Sequence, residues 1–323
     1  MIKTHFFMIL CALFFSDPAF ARTAIDPKAG FKATLALNWK PEPQFGGFYA
    51  AEAEGFFKQN GLDVTIQQGG SGTPTVQMVA AGKVDFAIVS ADEVLISRQN
   101  GSDVIALFAV YQTNPQGIMV HADRKMKMIG DVFQQSGTLA MQSGLPYAEF
   151  LRKKYPNSKV KIVPYAGGIS SFLADPQFSQ QCFVTSEPLA AKKAGKNPQT
   201  FLIAEAGYNP YTTVVVTRES FWKSNPGIVK KLTQAVRQGW QSYLHNPDKT
   251  NLKMQALNPS MDLETFKDSA EAQLKLIKTA KGETLGEMTE ARWQELINQL
   301  LDLKVLKKEV SAKSVFIPFT KGE

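Results

Sequence analysis

Short apolar runs separated by turn residues fill the first two-thirds of the chain. Ala33 to Trp39 alternates apolar and polar positions and predicts a strand. Gly46-Gly47 opens a helical stretch through Phe48, Tyr49, Glu52 and Phe56, which Gly61 ends after Asn60. Asp63 to Gln67 predicts a second strand, and the loop Gly69-Gly70-Ser71-Gly72 follows. Thr73 then suits an N-cap and Pro74 the first position of a helix to Ala81. Val84–Val89 predicts a buried strand, Ser90, Ala91 and Asp92 lead into another helix, and Val104–Val110 is a further apolar run. This βαβαβαβ alternation predicts a parallel sheet covered by helices.

A second α/β block begins near Gln116. Its strands are expected at Gly117–His121, Thr138–Met141, Val160–Val163, Gln181–Thr185 and Thr200–Ile203, with helices such as Pro146–Tyr155 and Glu187–Gly195 between them. The block closes near Gly207, and Tyr211–Thr217 is again a strand. Beyond it the pattern turns helical. Apolar stripes run along Val229, Leu232, Val236, Trp240 and Tyr243, along Leu263, Phe266, Ala270, Leu274 and Ile277, and along Trp293, Leu296, Ile297 and Leu300. Their helical spacing marks them as core.

The N-terminus has the layout of an export signal. Lys3 gives the positive end, Phe6–Phe15 is a ten-residue apolar run, and Ala19-Phe20-Ala21 fits a cleavage site. Ten apolar residues span about half of what a bilayer needs. Residues 1–21 are therefore expected to be removed and the mature chain to start at Arg22, in a periplasm. Cleavage leaves the net charge of +7 unchanged, because Lys3 and Asp17 cancel, and leaves one cysteine, Cys182. No internal disulfide can form, and a buried inert thiol is expected. The basic residues are scattered in short clusters such as Arg152-Lys153-Lys154 and Lys230-Lys231. No basic stripe interleaved with aromatics suggests nucleic acid.

No catalytic constellation emerges. The chain has no G-x-S-x-G elbow, H-E-x-x-H or P-loop, and only His121 and His245 remain in the mature chain. No metal site and no cofactor are expected. Two loops, Gly69–Pro74 and Gln142-Ser143-Gly144-Leu145-Pro146, precede helices in the two blocks. Facing one another they would line a cleft at the carboxyl ends of strands, where open α/β sheets bind ligands. Trp39, Tyr49, Tyr111, Gln112, Tyr165, Tyr208, Asn209 and Tyr211 lie in or beside expected loops. As a set they suit a flat, neutral ring, because aromatics stack and amides fix its edge. Few Arg stand at these positions, which argues against a sulfonate, nitrate or phosphate.

Asn38-Trp39-Lys40-Pro41-Glu42-Pro43, Gly47-Phe48-Tyr49-Ala50, Gly55-Phe56-Phe57-Lys58 and Gly61-Leu62-Asp63-Val64 resemble the opening of the thiamine-pyrimidine-synthase-like periplasmic solute-binding family. Gly82-Lys83-Val84-Asp85-Phe86 and Thr185-Ser186-Glu187-Pro188 continue the likeness, which covers most of residues 33–245. The resemblance implies a two-lobed, type II periplasmic binding protein of α/β class, with lobes joined by a double-crossover hinge. It further implies delivery of a small heterocycle, such as a thiamine pyrimidine precursor or riboflavin, to an ABC importer; other members bind aliphatic sulfonates. A fungal enzyme branch builds the thiamine pyrimidine from pyridoxal phosphate and a histidine of its own chain. It needs a Lys and a His where this sequence has Val89 and Glu93, so the binding role is carried over and the catalysis is not.

The expected lobes are 22–113 with 208–323, and 114–207. Trp39 and Tyr49 are assigned to stacking, Ser71 and Thr73 to hydrogen bonds near a helix start, and Asp92 and Glu187 to accepting from ring amines. Tyr111, Ser143, Tyr165 and Asn209 line the cleft. The expected protein is a non-enzymatic monomer whose partners are a small-molecule ligand and an ABC permease in the inner membrane. The alternatives are the synthase and an extracytoplasmic sensor domain, the latter disfavoured because no signalling domain follows. N-terminal sequencing of the protein from the cell envelope should read Arg22-Thr23-Ala24; an intact Met1 in the cytoplasmic fraction would contradict export.

Overall fold

A computed structural model describes residues 30–278 and 285–318; the expected export signal lies outside them. Among the described residues ten strands form two five-stranded sheets. The first holds β1 (Phe31–Ala36), β2 (Leu62–Gln67), β3 (Phe86–Val89), β4 (Val104–Tyr111) and β10 (Thr212–Arg218), in the order β2-β1-β3-β10-β4. The second holds β5 (Gln116–His121), β6 (Thr138–Met141), β7 (Lys161–Pro164), β8 (Phe178–Phe183) and β9 (Pro198–Leu202), in the order β7-β6-β8-β5-β9. The chain passes between the sheets twice, through 112–115 and back through 207–211.

Neither sheet is all-parallel, which corrects the sequence expectation. In the first, β1 pairs with β2 and β3 in parallel, but β10 runs antiparallel between β3 and β4. In the second, β5 runs antiparallel between β8 and β9. In each sheet the inserted strand is the one entered directly from the other sheet. It therefore arrives from the cleft side and must run against its neighbours.

The C-terminal helices cover the first sheet. Helix Pro226–His245 buries Val229, Leu232, Val236, Trp240 and Tyr243. Helix Glu290–Asp302 buries Trp293, Leu296, Ile297 and Leu300, and Thr289 caps it by accepting from the Arg292 N–H. The middle stripe holds less fully. Asp262 caps helix Leu263–Ala272 and leaves Leu263 42% exposed at its first turn. That helix stops at Gln273, whose side chain is wholly buried.

Helix Pro226–His245 crosses helix Gly46–Ala53 almost backbone to backbone. A Cβ on Gly239 would sit 2.1 Å from the Gly47 carbonyl oxygen, which cannot yield as a side chain could. Gly239→Ala is expected to lower stability by about 1–3 kcal/mol, the usual cost of overpacking. Urea denaturation checks this, and an unchanged midpoint would mean that the two helices do not approach so closely.

Candidate functional site

Carboxyl ends of strands from both sheets converge between the lobes. On the first lobe, the segment after β1 carries Trp39 and Glu42, and four hydrogen bonds pin its backbone. Leu37 N donates to Gln67 O at 2.8 Å and Gly69 N to Trp39 O at 3.1 Å. Asn258 Nδ2 donates to Pro41 O at 3.0 Å, and Gln273 Nε2 to Pro43 O at 3.1 Å. Gly69 is required here, since a Cβ would meet Leu37 O at 2.1 Å. Prolines on both sides of Glu42 restrict the loop further. Trp39 Nε1 donates to Glu42 Oε1 at 3.1 Å, and the Trp39 side chain remains 37% exposed.

On the second lobe, Glu187 opens helix Glu187–Lys193 immediately after β8. Its Oε2 accepts from Phe183 N at 2.8 Å and its Oε1 from the Tyr165 hydroxyl at 3.2 Å. Burial pushes the Glu42 carboxyl up to about 7, with the Glu187 charge adding to the rise and the Trp39 bond and Lys40 opposing it. Burial also raises Glu187, against the Phe183 and Tyr165 hydrogen bonds. Tyr111 completes the contact between lobes: its hydroxyl donates to Gln273 Oε1 at 2.7 Å, and Thr185 of the second lobe reaches the same hydroxyl.

The structure thus pairs Trp39 with Glu42 on the first lobe and Tyr165 with Glu187 on the second. The other expected residues go elsewhere. Tyr49 is 2% exposed in the core of the first lobe, so its ring has no face free for stacking. Thr73 does not cap the next helix, which runs Thr75–Ala80. Its hydroxyl accepts from Gly70 N at 2.8 Å and closes the glycine loop on itself. Ser71 and Ser143 are exposed in their loops. Asp92 sits at the hinge, where the Tyr208 hydroxyl donates to its Oδ2 at 3.3 Å and Ser90 bonds its Oδ1; burial raises its pKa. Asn209 Oδ1 accepts from Asn114 N at 2.8 Å and ties the two crossings together.

Three contributors were not read from the sequence. Glu42 carried a signal, an acid three residues after a loop Trp and between two prolines. Gln273 looked like one position of a helix. Arg292 gave no signal, yet it staples the hinge. Its Nη1 donates to Gln112 O at 2.6 Å, its Nε to Asn209 O at 2.9 Å, and its guanidinium lies 3.9 Å from the Tyr211 ring centre. Among the described residues no group of three or more His, Cys, Asp or Glu is placed to hold a metal ion, and no helix is long and apolar enough to cross a membrane.

Residues 42–250 match the family model described as NMT1/THI5 like, and the chain belongs to that family. It is 21% identical to the formylaminopyrimidine-binding protein of Halalkalibacterium halodurans over 97% of each chain. A stretch of 88 residues, 27% of this chain and 26% of the relative, is 26% identical to the 4-amino-5-hydroxymethyl-2-methylpyrimidine phosphate synthase THI11 of Saccharomyces cerevisiae. The periplasmic aliphatic sulphonate binding protein SsuA from Escherichia coli aligns with a TM-score of 0.70 and 10% identity, over 92% of this chain and 95% of that one. The fold is the two-lobed, type II periplasmic binding protein fold that the sequence led one to expect.

The half-buried acids set a pH dependence. Above the ordinary glutamate value of 4.5 the unfolded chain loses the Glu42 proton, whereas the folded protein keeps it until about 7. The folded state binds more protons over that window, so stability falls as pH rises through it. Asp92, Glu93 and Glu187 are raised too and act in the same direction. Urea titrations between pH 5 and pH 8 should show this decline, and Glu42→Gln should flatten it; a rise in stability would contradict the raised acids.

Proposed function

We propose that this chain is the periplasmic binding component of an ABC importer, which closes two lobes on a small nitrogen heterocycle and presents the closed form to a membrane permease. The observation that supports this reading is the placement of Trp39 with Glu42 on one lobe and of Tyr165 with Glu187 on the other, each pair at the carboxyl end of a strand. A half-exposed indole offers a stacking face, and the carboxylates accept from ring N–H groups. The full-length likeness to a formylaminopyrimidine-binding protein supports a ligand of that kind. The lobes proposed to move are 22–113 with 208–323, and 114–207, about the crossings at 112–115 and 207–211. Ser71 and Ser143, exposed on their loops, are proposed to meet the ligand only from the rim, and export to the periplasm with cleavage after Ala21 belongs to the same reading.

The synthase alternative is disfavoured on particular residues. Where the enzyme branch needs a lysine for a Schiff base, Val89 is fully buried at the end of β3. Where it needs a histidine, Glu93 accepts from Ser90 N at 2.8 Å in a capping box that starts its helix.

The protein recovered from the envelope should carry a small molecule detectable by native mass spectrometry. After that solute is stripped, adding it back should quench tryptophan emission. Trp39→Ala should weaken its binding tenfold or more, since an aromatic stack is worth roughly 0.5–1.5 kcal/mol beyond the burial it brings. Unchanged affinity would move Trp39 out of the ligand's path, and envelope protein with no solute would count against the transport role.

A further inference from the structure

The second sheet has two ends, and exposed lysines gather at the one away from the cleft. Tyr165 and Glu187 follow the carboxyl ends of β7 and β8. At the opposite end Thr138, Lys161 and Phe178, the first residues of β6, β7 and β8, stand side by side, and His121, the last of β5, pairs with Pro198, the first of β9. Five strands at the ordinary spacing make this end about 20 Å wide. Lys159 and Lys161 stand at its β7 edge, Lys196 just before β9, and Lys125 and Lys127 just after β5. Backbone bonds hold these segments together. Ala122 N donates to Asn197 O at 3.0 Å, Lys161 N to Gly137 O at 2.9 Å and Lys159 N to Phe133 O at 2.7 Å. Arg124 spans the middle, where it donates to Ser136 O at 2.8 Å and Ser179 Oγ at 2.6 Å.

The charge at this end is positive. Residues 114–207 hold 11 Lys and Arg against 6 Asp and Glu, so the second lobe carries +5 of the net +7. All five lysines are exposed, and among the described residues none of them pairs with a carboxylate, as Lys153 and Lys193 do. The acids of this end are Asp123, Asp131 and Asp175. Asp131 accepts from Lys127 N at 2.6 Å and Asp175 from Gln177 N at 2.8 Å, so two of the three are occupied by their own backbone. Met128, next to Lys127, is 62% exposed.

Resting on the export proposed above, we propose that this end of the second lobe adsorbs to the anionic phospholipid surface of the inner membrane, which leaves the cleft at the other end of the sheet turned toward incoming solute. Lysines are point charges on flexible stems and suit a diffuse layer of phosphates, whereas a built phosphate site uses the rigid fork of arginine. The Arg124 fork is directed inward, to Ser136 and Ser179. Protein interfaces are depleted in Lys, so a row of five favours lipid over a protein partner. Met128 supplies an apolar side chain of the kind that sinks between headgroups.

The test sediments the purified mature protein with vesicles of phosphatidylcholine alone, or of phosphatidylcholine with phosphatidylglycerol, in about 0.1 M salt. Binding is expected only where phosphatidylglycerol is present, and is expected to fall steeply as salt approaches about 1 M. Each Lys near an anionic surface strengthens binding roughly fivefold. Lys127→Gln, Lys159→Gln and Lys161→Gln together should therefore weaken it about a hundredfold. Lys230→Gln, Lys231→Gln and Lys267→Gln, exposed on the first lobe, remove the same charge and should change it less than about threefold, since distant charges are screened. Binding that ignores phosphatidylglycerol overturns the proposal, and so does an equal loss in the two triple variants. Binding confined to membranes that keep their own proteins overturns it in favour of a protein partner. Purified protein on vesicles reports adsorption alone, whereas N-terminal sequencing reports export, so the two failures are separate.

Discussion

The cleft depends on two acids presented from fixed backbone, one in each lobe. Glu42 stands on a loop fixed by Asn258, Gln273 and the backbone of Gly69. Glu187 stands at the start of a helix, held by Phe183 N and by Tyr165. Each acid is thereby presented by its own lobe from a constrained segment of backbone.

Separation needs a hinge that bends while the rest holds. The two crossings are tied to each other through Asn209 and Asn114, and Arg292 donates to both and holds them in one cluster against Tyr211. Gln112 and Tyr211 add bonds to Glu287 and Thr289, so the segment leading into helix Glu290–Asp302 buttresses the same point. Away from the hinge the lobes touch through surface pairs. Lys193 lies 2.6 Å from Asp262 and 3.3 Å from Glu264, and Lys153 lies 2.5 Å from Asp302. Exposed pairs of this kind are screened by solvent and contribute little.

The helical stripes around Trp240 and Trp293 were legible because burial of one face imposes its period on the sequence. Strand positions were legible for the same reason, to within a few residues at each end. The antiparallel insertion of β10 and β5 was not, because strand order depends on where the chain returns, and residues such as Val214 and Val89 that pair across the sheet carry no local mark of it. At the site, Trp39 and Glu187 stood out through their neighbours. Tyr49 and Thr73 misled for a shared reason: an aromatic or hydroxyl near a strand end suits a site, but suits a core or a loop closure equally well, and three-dimensional packing decides. Glu42 was visible as a residue, but the loop that sets its bond to Trp39 is fixed by Asn258 and Gln273, far along the chain. Gln273 and Arg292 act over more than 80 residues of sequence, on Pro43 and Tyr111 and on Asn209 and Gln112, beyond the reach of any local pattern.

A crystal structure of the envelope-purified protein with its own solute would test the cleft most directly. The predicted result is a flat molecule between the lobes, stacked on Trp39, with nitrogen atoms within hydrogen-bonding distance of both Glu42 and Glu187. A solute bound elsewhere, or one that turns sulfonate or phosphate oxygens toward those two carboxylates, would contradict it.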